Sequence, residues 1–168
     1  MLTNPVNEIL LVEDNPDDVE LTLHALKRNN ILNPIVVARD GQEACDYLFY
    51  SGKYTDSKHE PPALVLLDLQ LPKIDGIEVL RKIKDTPALK QVPVVILTSS
   101  KEEKDLVDGY DLGVNSYIRK PVDFDQFVET VRYIGYYWLT THYESSYKGL
   151  SLFSDTGCWC LYFYYRSR

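Results

Sequence analysis

Cysteine is scarce in this sequence: Cys45, Cys158 and Cys160 stand among 168 residues. Three thiols are too few for a disulfide scaffold, and their rarity points to a reducing compartment. Cations are in deficit, with 18 Lys plus Arg against 25 Asp plus Glu and a formal net charge of −7. That balance argues against a domain built mainly to bind nucleic acid or an anionic membrane. Long apolar runs are missing too. A bilayer span needs about 20 consecutive apolar residues, whereas the runs here are short. The opening MLTNPVNEILLVED has no basic region, and its apolar stretch covers only 9–12. No signal peptide is therefore expected, and the expected location is the cytoplasm. No internal repeat is found.

What is present is a regular alternation. Hydrophobic residues make up 45% of the chain, enough at this length to bury a core without disulfides or structural metal. Short apolar runs at 9–12, 35–38, 63–67, 93–97 and 114–119 read as strands, the central ones buried on both faces. Between them lie stretches with apolar residues at helical spacing. Pro16-Asp17-Asp18 reads as a helix start, and Asn29-Asn30 as its stop. Further helices are expected over 41–50, 76–84, 101–112 and 123–138, the last with Phe124, Phe127, Val128, Val131, Ile134 and Trp138 at core spacing. Residues 51–62 form a polar, turn-rich loop. Five βα units in a row imply an α/β fold, a five-stranded parallel sheet doubly wound with helices on both faces. Ligands of such sheets sit beyond the carboxyl ends of the strands.

Chemistry gathers at those strand ends. The first strand runs into Glu13-Asp14, the third into Asp68, the fourth into Thr98-Ser99 and the fifth into Lys120-Pro121. A parallel sheet brings all of these to one rim. Three carboxylates in one place repel, and each raises the pKa of the others. A hard divalent cation removes that conflict, and Mg²⁺ suits one or two carboxylates with water and phosphate oxygens. A carboxylate can also attack phosphorus and form an aspartyl phosphate. The transferring group then needs positive charge and donors, which Lys120, Thr98 and turn amides can supply. Asp17 and Asp18 are expected to be first-turn helix acids, favoured by the helix dipole. Asp75-Gly76 is expected to be turn chemistry. Pro72 and Gly76 are expected to shape the loop beside Asp68. His24, His59 and His142 lack metal-ligand spacing and are read as surface residues. Cys158-Trp159-Cys160 lacks the spacing of a zinc site.

With these residues in view, the chain resembles the bacterial response-regulator receiver domain, of CheY-like (flavodoxin-like) fold. The matching pieces are LLVEDN (10–15), LLDLQLPKIDG (66–76), PVVILTSS (93–100) and YIRKP (117–121), in that order. The resemblance covers about 7–139 and implies the strand order 2-1-3-4-5. It also implies roles. Asp68 is the phosphoacceptor, and Glu13, Asp14, Asp68 and the backbone carbonyl of Gln70 are the Mg²⁺ ligands. Lys120 is the partner of the phosphoryl group, Thr98 the switch hydroxyl, and Tyr117 the aromatic that swings inward when Thr98 turns. The long loop before the third strand, LVEDNPDDVEL and the YYWL ending of the last helix resemble stand-alone regulators paired with phytochrome-like histidine kinases.

The implied function is that of a single-domain two-component regulator. It takes a phosphoryl group from a sensor histidine kinase and signals through protein contacts. Those contacts involve the 101–112 helix, the fifth strand and the last helix. It catalyses only its own phosphorylation and dephosphorylation, so it is not an enzyme with separate substrate turnover. No DNA-reading segment is seen, and homodimerisation through the aromatic last helix (Tyr133, Tyr136, Tyr137, Trp138) is the expected output. The alternative is a constitutive interaction module that is never phosphorylated. A phosphatase of the haloacid dehalogenase type needs a second acid two residues after the nucleophile, where Gln70 stands. An FMN-binding flavodoxin would not place Glu13-Asp14 in its phosphate loop. Residues 140–168 differ in character from the rest, and eight of the 13 tyrosines fall at or after Tyr133. This tail is expected to be poorly ordered, either an out-of-frame extension or a small interaction segment.

Overall fold

The structure, a computed structural model, describes residues 7–98, 113–120 and 124–141, with backbone alone at 98, 119 and 135–141. The strands are β1 (Ile9–Val12), β2 (Ile35–Ala38), β3 (Leu64–Leu67), β4 (Val94–Thr98) and β5 (Ser116–Arg119). The helices are α1 (Pro16–Arg28), α2 (Gly41–Leu48), α3 (Gly76–Asp85) and α4 (Phe124–Thr141). All strand pairs are parallel, in the order β2-β1-β3-β4-β5. The expected α/β architecture and strand order therefore hold. The helix expected over 101–112 lies outside the described residues, as do Pro121 and the tail expected over 140–168, except that 140–141 continue α4.

The sheet separates two cores because strand side chains alternate between faces. Leu10, Val12, Val65, Leu67, Val94 and Ile96 point to one side and pack with α2 and α3 through Ala44, Tyr47, Leu80 and Ile83. Ile9, Leu11, Leu64, Leu66, Val95 and Leu97 point to the other and pack with α1 and α4 through Val19, Leu26, Phe127 and Val131. β1 and β3 are buried along their whole length, while Ile35, Val36 and Val37 of the edge strand β2 are half-buried. Continuous apolar runs in the centre and a lighter edge follow from that order. Phe124 does not join the core as expected. It opens α4 and stays 36% exposed, with the Arg28 guanidinium over its ring.

Helix ends follow local chemistry. Asn15 caps α1, its side chain accepting from the Asp17 amide at 2.9 Å, with Pro16 at the first helical position. Asp40 caps α2 and Asp75 caps α3 in the same manner. α2 ends at Leu48 rather than running to residue 50, because Tyr50 turns into the left-handed region at φ 55°. Tyr50 is held there by the loop that follows: its hydroxyl donates to the His59 carbonyl at 2.9 Å, and its ring lies 4.7 Å from the imidazole. His59 is consequently not the plain surface residue expected. It stacks on Tyr47 at 4.0 Å between ring centres and 2° between planes, and its Nε2 is buried. His24 is exposed on α1, as expected. Cys45 is buried in α2.

Candidate functional site

Two adjacent strands set the floor of the site. Pairing of Val12 with Leu67 across β1 and β3 brings the residues that follow them, Glu13 and Asp68, to the same level of the rim. The backbone continues the ladder one step past each strand. The Glu13 amide donates to the Ala38 carbonyl at 3.0 Å, and the Asp68 amide to the Val12 carbonyl at 3.0 Å. Both side chains are withdrawn from solvent, Glu13 at 1% and Asp68 at 5% exposure, while Asp14 is exposed. Each buried carboxylate takes a local amide as well. Asn15 N–H donates to Glu13 Oε1 at 3.2 Å, and Gln70 N–H donates to Asp68 Oδ1 at 3.1 Å.

The loop after Asp68 is clamped by a close approach. The Gly76 amide donates to the Leu69 carbonyl at 2.9 Å. A Cβ on Gly76 would lie 2.2 Å from the Asp68 carbonyl oxygen and 2.6 Å from Leu69 Cα. Only glycine allows the start of α3 to press on the backbone of Asp68. Pro72 and Lys73 tie the same loop to α2: the Gly41 amide donates to the Pro72 carbonyl, and Lys73 Nζ donates to Asp40 Oδ2 at 2.6 Å.

Lys120 follows β5 at the sheet edge and reaches back past β4, its stem buried and its side chain only 10% exposed. Its ammonium donates to Glu13 Oε2 at 2.5 Å, Asp68 Oδ2 at 2.6 Å and Asp18 Oδ2 at 2.8 Å. Three donors meet three acids, so the ammonium is fully used. Burial pushes the Glu13 carboxyl up to about 7, with the nearby Asp68 charge adding to it and Lys120 opposing. Burial alone would lower the Lys120 pKa. Its hydrogen bonds to Asp18, Asp68 and Glu13 outweigh that and hold it above the ordinary lysine range.

The side chains of Glu13, Asp14 and Asp68 offer carboxylate oxygens that all lie within 4.8 Å of one another. A hard, oxygen-only donor set of this size fits Mg²⁺ or a similar cation. Of the other residues singled out in the sequence, Gln70 lies exposed on the loop after Asp68. Tyr117 sits on β5 opposite Ile96 and packs half-buried against the α2–α3 core. Thr98 closes β4 opposite Arg119, and its side chain is outside the described residues. The structure thus brings together Glu13, Asp14, Asp68 and Lys120.

It also adds Asp18, expected from the sequence only as a first-turn helix acid. Asp18 does stand in the first turn of α1. Helical side chains tilt toward the N-terminus of their own helix, and α1 begins at the rim, so Asp18 leans over the site. That signal was available in the three-residue gap between Asp14 and Asp18.

A family model described as the response regulator receiver domain matches residues 9–132. The chain is similar to the response regulator Rcp1 of Synechocystis sp., at 42% identity over 139 residues, covering 83% of this chain and 93% of Rcp1. Among solved structures, the phosphorylated cyanobacterial phytochrome response regulator RcpA is 44% identical with a TM-score of 0.73, over 80% of this chain and 95% of that one. The bacteriophytochrome response regulator AtBRR is 53% identical with a TM-score of 0.67, over 79% and 95%. Rcp1 itself has been solved in a Mn²⁺-bound form, which matches with a TM-score of 0.73 and 42% identity over 80% of this chain and 96% of that one. The matched span holds every strand among the described residues and all the clustered side chains, and the chain belongs to the response regulator receiver family.

Proposed function

We propose that this chain is a phosphoacceptor regulator that takes a phosphoryl group on Asp68 from a sensor histidine kinase. The observation that carries the reading is the pairing of Lys120 with Asp68 beside a buried second acid and an exposed third. In the reaction an Asp68 carboxylate oxygen attacks phosphorus. The bond from phosphorus to the kinase histidine nitrogen breaks, and that nitrogen keeps the electron pair. Lys120 moves from the carboxylate to the oxygens of the incoming group, where its charge is most needed in the transition state. Thr98, at the end of β4, is the residue proposed to give a hydroxyl to the same oxygens. Burial of Asp68 keeps competing water away. Glu13, Asp14, Asp68 and the Gln70 carbonyl would hold Mg²⁺. When bound, this cation supplies positive charge to the phosphoryl oxygens and relieves the repulsion among the acids.

No separate substrate is turned over, so the protein acts as a signalling module rather than an enzyme. Output runs from Thr98 to Tyr117 on β5 and on to the face shared with the last helix, a population shift in a two-state element. Homodimerisation through α4 is the proposed readout, supported by the 50% exposure of Tyr133 on that helix. The names of RcpA and AtBRR support a phytochrome-like kinase as partner. The proposed setting is the cytoplasm, without direct contact to nucleic acid or membrane. Among the described residues no helix is long and apolar enough to cross a bilayer.

The test is phosphate incorporation. Incubated with acetyl phosphate and Mg²⁺, the wild type should gain one phosphoryl mass increment, and Asp68→Asn should gain none. Chelation with EDTA should abolish the gain. Absence of an increment in the wild type would overturn the reading in favour of a constitutive interaction module.

A further inference from the structure

Each oxygen of the two buried acids accepts one hydrogen bond. Glu13 takes the Asn15 amide on Oε1 and Lys120 on Oε2. Asp68 takes the Gln70 amide on Oδ1 and Lys120 on Oδ2. Each of these oxygens keeps a second lone pair, but a divalent cation that draws on Glu13, Asp14 and Asp68 competes with Lys120 for the same two buried carboxylates. The amides belong to the turns that follow each strand and cannot leave without breaking them. The ammonium carries like charge to the cation and is the group repelled. It is also buried, so it cannot simply escape into water without taking its stem along.

Asp18 offers the way out. Its Oδ2 already accepts from Lys120 at 2.8 Å, and its side chain is 31% exposed. It does not share in the group of oxygens that lie within 4.8 Å of one another. Its backbone is fixed in the first turn of α1, where its carbonyl also accepts from the buried Thr22 hydroxyl at 2.8 Å. Resting on the receiver reading above, we infer that Asp18 is a positioning residue that retains the Lys120 ammonium when a divalent cation claims Glu13 and Asp68. The lysine shifts its share of hydrogen bonding to Asp18 and stays in the site, ready for phosphoryl oxygens. Without Asp18, cation entry would leave a buried ammonium with no carboxylate of its own.

The test is a double-mutant cycle read by calorimetric titration of the full chain with MgCl₂, in the absence of any phosphodonor. Asp18→Asn should weaken Mg²⁺ binding by about fivefold or more while Lys120 is present, as coupled contacting groups do. Asp18→Glu should restore most of the affinity. In a Lys120→Met background, which keeps the buried stem, the same Asp18→Asn change should cost less than about twofold, the remnant of long-range charge. Lys120→Gln serves if the methionine variant does not fold. An equal loss in both backgrounds would show that Asp18 acts only through net charge and would overturn the inference. No loss in either would do the same. Failure of the wild type to bind Mg²⁺ would sink both this inference and the receiver chemistry. Wild type that binds Mg²⁺ with the predicted coupling but takes no phosphoryl group from acetyl phosphate would sink the receiver chemistry alone.

Discussion

Glu13 is buried to 1% exposure beside a second acid, and its carboxyl is pushed up to about 7. A protonated carboxyl is a poor cation ligand. Above pH 7 the group is ionised and free to ligate, and below it a proton must first leave. Mg²⁺ affinity should therefore be near its plateau at pH 8 and fall as pH drops through 7, by at most about tenfold per unit for a single proton. Glu13→Gln should bind more weakly but lose most of this slope between pH 6 and 8. Titrations at three pH values would check it, and an unchanged slope in the variant would assign the proton elsewhere. At this scale the sequence was a good guide where a residue ends a strand, since Glu13, Asp14, Asp68 and Lys120 all meet at the rim. It was a poorer guide for Asp18. Its place in a helix was readable, but its reach to a lysine 102 residues away was not.

Elements position these residues through contacts that single substitutions can break. At Gly76 an added Cβ meets backbone at 2.2 Å, and backbone cannot move aside as a flexible side chain can. Gly76→Ala should cost about 3 kcal/mol of stability and slow phosphoryl uptake, since the displaced atoms belong to Asp68 and Leu69. Gly113 makes a useful control, because it has φ 78° but no atom of the described residues within 4 Å of an added Cβ. Alanine there should cost only about 1 kcal/mol, from backbone strain. The Tyr47 hydroxyl donates at 2.5 Å to Oε2 of Glu8, which stands just before β1. Burial first, then this acid, raises the Tyr47 pKa, so the phenol stays protonated. Tyr47→Phe should lower stability by about 1–2 kcal/mol in thermal unfolding, with phosphoryl uptake unchanged. The strands were legible because central parallel strands are continuous apolar runs. The end of α2 was not, because the Tyr50–His59 contacts that stop it come from a loop whose folding back leaves no periodic trace.

For the whole molecule, phosphorylation should change association. Under acetyl phosphate and Mg²⁺, light scattering behind size exclusion should show a shift toward dimer in the wild type. Tyr133→Glu on α4 should suppress that shift without blocking the phosphoryl mass increment. A dimer that forms equally in Asp68→Asn would separate association from phosphorylation. The architecture as a whole was readable from order alone: alternation of apolar strands and amphipathic helices leaves few topologies once crossovers must be right-handed.

Lys120 is joined to acids 52, 102 and 107 residues earlier in the chain. Contacts of such separation close late in folding, because the entropy of the intervening loops must be met first. A chain arrested before β5 docks would hold its acids without their ammonium. On the proposed function, such an intermediate would lack the ammonium that is to receive phosphoryl charge. Competence to be phosphorylated would then also serve as a proofreading of completed assembly. Pulse labelling with acetyl phosphate during refolding would time the docking of β5 directly.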